Sequence, residues 1–370
     1  MPLFTDLARS LPATVPFVGP EALERRMGVR FRARLGANES VFGPSPSVVE
    51  AMARAARDSW AYGDPEQYEV KRAIAAHHGI GMENVAVGEG IDGLLGHLVH
   101  LSTDPGDMVV TSHGAYPTFN YHVAGHGARL DFVPYRGDDH EDVEALIARA
   151  EALRPKLVYF ANPDNPTGSW HDAATVERLI DAIPEETILV LDEAYADLAP
   201  EGSLPKITAM RPNLLRFRTF SKAYGMAGVR VAYVVGEPAS VAQFDKVRNH
   251  FGVSRIAQAG ALAALADQEY LRETVNKIAG ARAELAAIAR RAGLTPLASA
   301  TNFVAIDCGG DGAYARALLS AILERGVFIR MPGVAPLDRM IRVSAGRPED
   351  LALFEDALIG AIDAVGRPER

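Results

Sequence analysis

The sequence predicts an α/β fold: a large domain with a mainly parallel central sheet sandwiched by helices, followed by a smaller α+β domain. Three observations carry this. Short apolar runs recur between residues 84 and 235, and several, such as Leu189-Val190-Leu191, are nearly continuous; strands apolar on both sides belong to a sheet covered on both faces. Helical patterns separate these runs, the order of a parallel α/β domain. After about residue 297 the order changes to strand, helix, strand, strand, helix.

Taken in order, residues 1–35 carry Pro2, Pro12, Pro16 and Pro20 and read as an N-terminal arm with a short helix from Glu21 to Met27, packing with the small domain. The large domain is expected over 36–260 and the small one over 261–370. Gly36-Ala37-Asn38-Glu39-Ser40 is a turn. Pro46 to Trp60 reads as a helix, with Val48, Val49, Met52 and Ala56 at helical spacing behind a proline start. Glu66 to His78 is a second helix, Asn84 to Gly88 a short strand, and Ile91 to Leu101 an apolar helix. Strands are expected at Asp107 to Thr111, Arg129 to Val133, Lys156 to Phe160, Thr187 to Leu191, Leu214 to Arg218 and Val229 to Val235, with helices at Asp142 to Leu153 and Asp172 to Ile183. Val241 to Ala292 is alanine-rich and helical almost throughout, so one long helix or two, centred on 255–292, links the domains; Gly293 and Pro296 end it. The small domain reads as strand Asn302 to Ile306, helix Gly312 to Arg325, strands Val327 to Arg330 and Met340 to Ser344, and helix Pro348 to Val365.

The totals narrow the function classes. The chain has 370 residues, 48% hydrophobic and 23% charged, which suits a folded protein of about two domains with a large core. A net charge of −9 argues against nucleic acid as a partner, because no basic excess neutralises phosphates. The single cysteine, Cys308, lies in an apolar run and reads as a buried thiol that forms no intrachain disulfide. No apolar run reaches the roughly 18 residues of a membrane span, and Met1 to Pro12 has no basic-then-apolar signal pattern; the expected location is the cytoplasm. The pairs His122/His126 and His97/His100 have no third ligand nearby in sequence, so no metal site is expected.

The chemistry centres on Thr219-Phe220-Ser221-Lys222-Ala223-Tyr224-Gly225-Met226-Ala227-Gly228-Val229-Arg230, a tight glycine-rich connection between two strands. A lysine amine condenses with an aldehyde to form a Schiff base, and burial or neighbouring cations keep part of it unprotonated. Ser221 and Arg230 can hold a phosphate on the same ligand, Arg230 as a two-pronged donor. An aldehyde that carries a phosphate is pyridoxal 5'-phosphate (PLP). A solvated loop lysine is the plain alternative, and five other segments weigh against it.

Val87-Gly88-Glu89-Gly90-Ile91-Asp92-Gly93 joins a strand to a helix; its glycines let backbone amides turn towards a phosphate at the helix N-terminus. It also matches the dinucleotide pattern G-x-G-x-x-G, so an NAD-dependent oxidoreductase is a remote alternative, but that reading leaves Lys222 unexplained. Tyr116-Pro117-Thr118-Phe119-Asn120-Tyr121 offers an aromatic to stack on a flat ring or simply to pack in the core. Ala161-Asn162-Pro163-Asp164-Asn165-Pro166-Thr167-Gly168 forms a rigid turn after a strand and can present Asn165 where α/β folds place ligands. In Leu189-Val190-Leu191-Asp192-Glu193-Ala194-Tyr195 a carboxylate ends an apolar strand. Buried alone it would cost several kcal/mol, so it wants a cation: a structural arginine, or a protonated pyridine nitrogen that makes the ring an electron sink. Tyr195 could donate to the ring oxygen. Arg342, inside Met340-Ile341-Arg342-Val343-Ser344, wants an anion such as a substrate carboxylate or an interdomain acid.

As a set and in this order, these motifs resemble the fold-type I PLP-dependent aminotransferases, and within them the histidinol-phosphate aminotransferase-like group, over nearly the whole chain. The resemblance implies that Lys222 carries the cofactor and then moves the proton, that Asp192 pairs with the pyridine nitrogen, and that Asn165 and Tyr195 serve the ring oxygen. Phe119 would stack on the ring, with Tyr121 a second candidate. Ser221, Arg230 and the amides of Gly90, Ile91 and Asp92 would hold the phosphate. Tyr62 would reach the neighbouring subunit's phosphate, making the active unit a homodimer. Arg342 and Asn38 would lie at the substrate carboxylate, Arg330 would anchor an anionic side chain, and Phe17 stands where the family often has a tyrosine. Three departures fall on the substrate side or the dimer segment: Gly63 replaces a proline after Tyr62, Phe17 cannot hydrogen-bond a phosphate, and no proline lies near His250-Phe251. The implied function is transamination between an amino donor, histidinol phosphate or an aromatic or related amino acid, and a 2-oxo acid acceptor, by family analogy 2-oxoglutarate. A PLP-dependent decarboxylase or lyase like the threonine-phosphate decarboxylases is the alternative on the same fold.

Overall fold

The computed structural model describes residues 3–13 and 17–368. At its centre is a seven-stranded sheet: β1 (Val85–Gly88), β2 (Met108–Ser112), β3 (Arg129–Val133), β4 (Leu157–Ala161), β5 (Ile188–Asp192), β6 (Leu214–Thr219) and β7 (Ala232–Val235), in the spatial order β1-β7-β6-β5-β4-β2-β3. Only β7 runs against the rest: it is antiparallel to both β1 and β6, while β6-β5-β4-β2-β3 pair in parallel. The apolar runs behave as expected of a doubly covered sheet. Every residue of β1, β4 and β7 is buried, and separate apolar clusters fill the two faces around Leu94, Leu95 and Phe217 on one side and Ile74, Phe220 and Ala261 on the other.

Because β1 is parallel to β6, the strand ends Gly88, Ala161, Asp192 and Thr219 emerge at one edge, and register pairs Asp192 with Ala161 and Thr219 with Ala232. The carboxyl ends of strands are where open α/β sheets place ligands. The Gly88-to-Gly93 motif lies on an edge strand beside an antiparallel neighbour, not in the βαβ unit that dinucleotide binding requires.

The chain beyond the long helices builds a second sheet, Thr295–Pro296, Phe303–Asp307 and Met340–Ser344, all antiparallel. Ala33–Arg34 pairs with Val327–Phe328, so the segment after the arm joins this C-terminal sheet region. Its core also takes in Tyr195 and Ala223, the backs of two site segments. No helix among the described residues is long and apolar enough to cross a membrane.

The stretch from Val241, expected as one long helix or two, gives two: Ser254 caps Arg255–Ala266, Asp267 caps Gln268–Arg291, and each cap side chain accepts a backbone N–H three residues on. Two other elements differ from the sequence pattern. The strand expected from Val229 starts at Ala232, because Ala227–Val229 is a 3-10 turn and Arg230 takes a left-handed conformation, φ 58°. Pro117–Gly125 is a helix that its aromatic sequence did not suggest; Pro117 opens it, where its fixed φ suits the first turn.

Candidate active site

Lys222 follows β6 in a loop pressed against the backbone at Gly43. Gly225 has φ +69°, and a Cβ there would lie 2.4 Å from the Gly43 carbonyl, so only glycine permits this approach. The Lys222 Nζ donates to the Asn38 carbonyl at 3.0 Å. Burial, and then the guanidinium groups of Arg342 and Arg230, bring its pKa down to about 8, against the pull of Asp192. An amine in that range is partly neutral and nucleophilic at physiological pH.

Asp192 is 6% exposed. Its Oδ2 accepts from the Tyr159 hydroxyl at 2.7 Å and its Oδ1 from the Ala194 N–H at 2.9 Å. Among the described residues no arginine or lysine is within ion-pair distance of it, unlike Glu193, which is bound by Arg216 and Arg218. Burial raises the Asp192 pKa, partly offset by the Tyr159 bond. The alternative of a structural arginine partner is thus taken up by the neighbouring Glu193, and Asp192 keeps its need for a cation in the cavity.

The opposite end of the cavity is a cradle for an anion. The helix Gly90–Ser102 points its first amides there. Gly90 has φ +90°, and a Cβ on it would fall 2.0 Å from Arg230 Nη2; the glycine lets the guanidinium lie on the helix end. Arg230 Nη1 donates to Ser221 Oγ at 3.4 Å, and Thr219 Oγ1 donates to the same oxygen at 2.9 Å. Between cradle and carboxylate the wall includes Asn165, Tyr195 and Lys222. A group bearing a phosphate, an aldehyde and a basic ring nitrogen fits these three features, so the residues present suit PLP.

Asn165 Oδ1 accepts from Arg342 Nη1 at 2.5 Å, so its amide N–H groups are left for the cavity. Tyr195 is 3% exposed and its hydroxyl accepts from Asn38 Nδ2 at 2.9 Å; burial raises its pKa. A wider outer cavity continues past Asn38, Tyr116, Arg330 and Arg342 to Phe17. Arg342 pairs backbone to backbone with Arg330 in an isolated antiparallel bridge. Each has a buried Nε with no partner, and neither meets a carboxylate among the described residues. Burial lowers the pKa of Arg342 to about 10 and also lowers that of Arg330. Arg330 donates to the Val18 carbonyl at 2.8 Å and lies 5.0 Å from the Phe17 ring centre.

Phe119 and its alternative Tyr121 do not reach this cavity. Phe119 is fully buried, stacked on Tyr159 with centroids 4.6 Å apart, and Tyr116 is the aromatic of that segment on the cavity wall. The reason is the helix that starts at Pro117: it turns Phe119 and Val123 into the core and leaves Tyr116 outside its first turn. Tyr121 is 51% exposed and lines neither part of the cavity. Tyr62 is 75% exposed, stacked on Phe251 at 4.4 Å, and likewise does not line this chain's own cavity. Sequence reasoning missed Tyr159, Tyr116 and Asn302, whose amide donates to the Asn38 carbonyl at 2.9 Å. Tyr159 sits inside an apolar strand with no motif around it; its hydroxyl is the only signal. His122, set aside as a ligand, bonds Asp92 at 2.9 Å in the first turn of the cradle helix.

Comparison with known proteins gives a consistent set of relatives. A family model described as aminotransferase class I and II matches residues 33–358. Histidinol-phosphate aminotransferase 1 of Mesorhizobium japonicum is 34% identical over 360 residues, 96% of each chain. Histidinol-phosphate aminotransferase of an Anaeromyxobacter species is 35% identical over 349 residues, 94% of this chain and 95% of the relative. Among solved structures, histidinol-phosphate aminotransferase from Sinorhizobium meliloti in complex with pyridoxal-5'-phosphate is similar with a TM-score of 0.96 and 53% identity over 99% of both chains. A Thermus thermophilus aspartate aminotransferase mutant, at 24% identity and a TM-score of 0.82, shares the fold.

Proposed function

Since the chain belongs to the class I and II aminotransferases and is a PLP-dependent enzyme of that family, we propose that its amino donor is histidinol phosphate and its acceptor 2-oxoglutarate. One observation carries the substrate reading: Arg330 and Arg342 stand side by side at the outer cavity, each with a buried Nε that has no partner, and no carboxylate pairs with either, among the described residues. Two guanidinium groups suit a substrate with an anionic group remote from its amine, such as a phosphate monoester in one half-reaction and a dicarboxylate in the other. The 53% identical structure, itself a histidinol-phosphate aminotransferase, supports the same donor. Phe17 contributes no hydrogen bond and instead flanks Arg330, which leaves the charge of Arg330 to read the anion.

When bound, PLP supplies an aldehyde that captures an amino group and a protonated ring that withdraws electrons from the carbon bearing it. Asp192 would hold the ring nitrogen protonated, and Asn165 and Tyr195 would donate to the ring oxygen. Ser221, Arg230 and the amides of Gly90, Ile91 and Asp92 would fix the phosphate, and Tyr116 would cover the ring. Lys222 would first hold the aldehyde and then move the proton at the donor's amine-bearing carbon. Arg342 would take a substrate carboxylate, with Asn38 beside it.

The test is the absorbance of the PLP-loaded enzyme titrated separately with histidinol phosphate, phenylalanine, tyrosine, glutamate and alanine. Conversion to the amine form at the lowest concentration by histidinol phosphate is expected; conversion only by the other donors, or release of carbon dioxide, overturns the donor. Arg330→Met should raise KM for histidinol phosphate by about 10- to 100-fold, the worth of a charged hydrogen bond, and change KM for phenylalanine by less than about 3-fold. Equal effects on both would remove Arg330 from anion reading.

A second expectation concerns pH. The neutral amine of Lys222 is the nucleophile, and its pKa of about 8 lies below the ordinary lysine value of 10.5. Covalent uptake of PLP by the apoenzyme should therefore speed up about tenfold per pH unit below 8 and level off above it. A rate still climbing to pH 10 would place the amine in an ordinary environment.

We also infer a homodimer in which Tyr62 serves the neighbouring phosphate site. Trp60 is 86% and Tyr62 75% exposed, beside Phe251 at 47%, an aromatic surface unusual for a free chain. Sedimentation velocity should give a dimer. Tyr62→Phe should weaken PLP binding by about 10-fold, the loss of one charge-assisted hydrogen bond, with the dimer intact; a monomer, or unchanged affinity, would refute the shared site.

A further inference from the structure

Behind the cavity wall lies a buried polar cluster that the mechanism above does not use. Asp164 is 2% and Glu141 1% exposed. The nearby arginine, Arg339, is committed to Asp139 and Asp307. Glu141 accepts from the Ala161 N–H at 3.0 Å and from Ser112 Oγ at 2.5 Å, closing the ends of β4 and β2 where their pairing stops after Val110 and Val158.

Asp164 is tied differently. Its Oδ1 accepts from the Tyr135 hydroxyl at 3.0 Å, and its Oδ2 accepts from the Thr167 N–H at 3.1 Å and Thr167 Oγ1 at 2.6 Å. Its backbone N–H donates to the Ser169 carbonyl at 2.8 Å, and its carbonyl accepts from Gly168 N–H at 3.1 Å. Five bonds thus converge on the residue immediately before Asn165. The turn itself needs only its prolines and Gly168, so a carboxylate at this buried position, costly to desolvate, calls for a task of its own.

We propose that Asp164 is a positioning residue for Asn165: its carboxylate, gripped by Tyr135 and Thr167, fixes the turn so that the Asn165 amide faces the ring oxygen of the cofactor. The inference rests on the reading that Asn165 donates to that oxygen. With Arg342 holding Asn165 Oδ1 from the substrate side, Asp164 holds the backbone from the sheet side, and the amide has no freedom to turn away. Two carboxylates in one dry site do not both ionise readily. Burial raises both, Glu141 well above the ordinary range and Asp164 only to about 6 because three donors face it. The three donors facing Asp164 favour its charged form, and charge-assisted bonds to Thr167 and Tyr135 are the strong ones.

The test is a pH titration of the visible absorbance of the PLP-loaded enzyme. A donor at the ring oxygen stabilises the more negative form and holds the titration midpoint down; its loss lets the midpoint rise. Asn165→Ala should raise the midpoint by about one pH unit, of the order of one lost hydrogen bond. Asp164→Asn should move it in the same direction by about half as much, and Tyr135→Phe by a smaller amount in the same direction. A midpoint moved by Asn165→Ala but unchanged in Asp164→Asn and Tyr135→Phe would make Asp164 a stabiliser of the fold only and overturn the proposal. An unmoved midpoint in Asn165→Ala would remove the premise, and the proposal with it. If Asp164→Asn does not fold, Tyr135→Phe decides alone.

Discussion

Replacing Lys222 by alanine is expected to abolish transamination, with a loss of about 10⁴-fold or more in the half-reaction rate. The substitution removes two functions at once. The covalent anchor for the aldehyde goes, and so does the positioned base, which alone is worth about 10²- to 10⁴-fold. No neighbour can substitute. The groups closest in charge, Arg230 and Arg342, do not deprotonate in working conditions, and Tyr195 has its proton held by burial. PLP should still bind through the Gly90 cradle and Asp192, but without a borohydride-stable link to the chain. Mass spectrometry after borohydride and single-turnover absorbance are the measurements. A variant that still forms the link, or keeps more than about a hundredth of the rate, would place the chemistry on another residue.

Asp192→Asn is expected to bind PLP and lose about 10²- to 10³-fold in kcat, the usual scale for removing a charge aimed at a reacting system. Asparagine retains an acceptor for the Tyr159 hydroxyl and gives up only the one for the Ala194 N–H, while the partner for a protonated ring nitrogen is gone. The apoenzyme gives the opposite result. Burial raises the Asp192 pKa in the folded state. The unfolded chain then ionises this group more easily, so at neutral pH its charge counts against folding. The cost is absent below the ordinary carboxylate value and fully present above the raised one. Removing the charge should therefore raise the melting temperature of the apoenzyme at pH 7 and change it little at pH 3. Stability lowered at pH 7, or activity within about tenfold of the parent, would show that Asp192 is a structural group. The same argument separates Asp192 from Glu193, its neighbour in sequence. Glu193 is held between Arg216 and Arg218 with its pKa lowered, and Glu193→Gln should destabilise the fold in both apo and loaded forms.

The sequence alone was enough to name the central strands and most of the polar side chains that line the cavity, because both are written in local patterns. A doubly buried strand is a short apolar run whatever lies next to it. The Lys222 and Asn165 segments and the Gly90 turn depend on glycines and prolines within a few residues, so their backbone shape follows from near neighbours. The same locality explains why Asp192 could be singled out: a carboxylate closing an apolar strand is visible without knowing its surroundings. What only the tertiary structure decided are contacts between distant parts of the chain. The Asn38 carbonyl under Lys222 is 184 residues away in sequence, and the Arg342 bond to Asn165 spans 177. Neither leaves a periodic trace. The choice of Tyr116 over Phe119 on the cavity wall turned on where one helix begins, which rotates a side chain from ligand to core in three residues. The split at Asp267 rested on one cap hydrogen bond to Tyr270 in a stretch of uniform helix formers. Pairings of this kind are set by how elements pack, and packing depends on the shape of the whole core, which no short window of sequence contains.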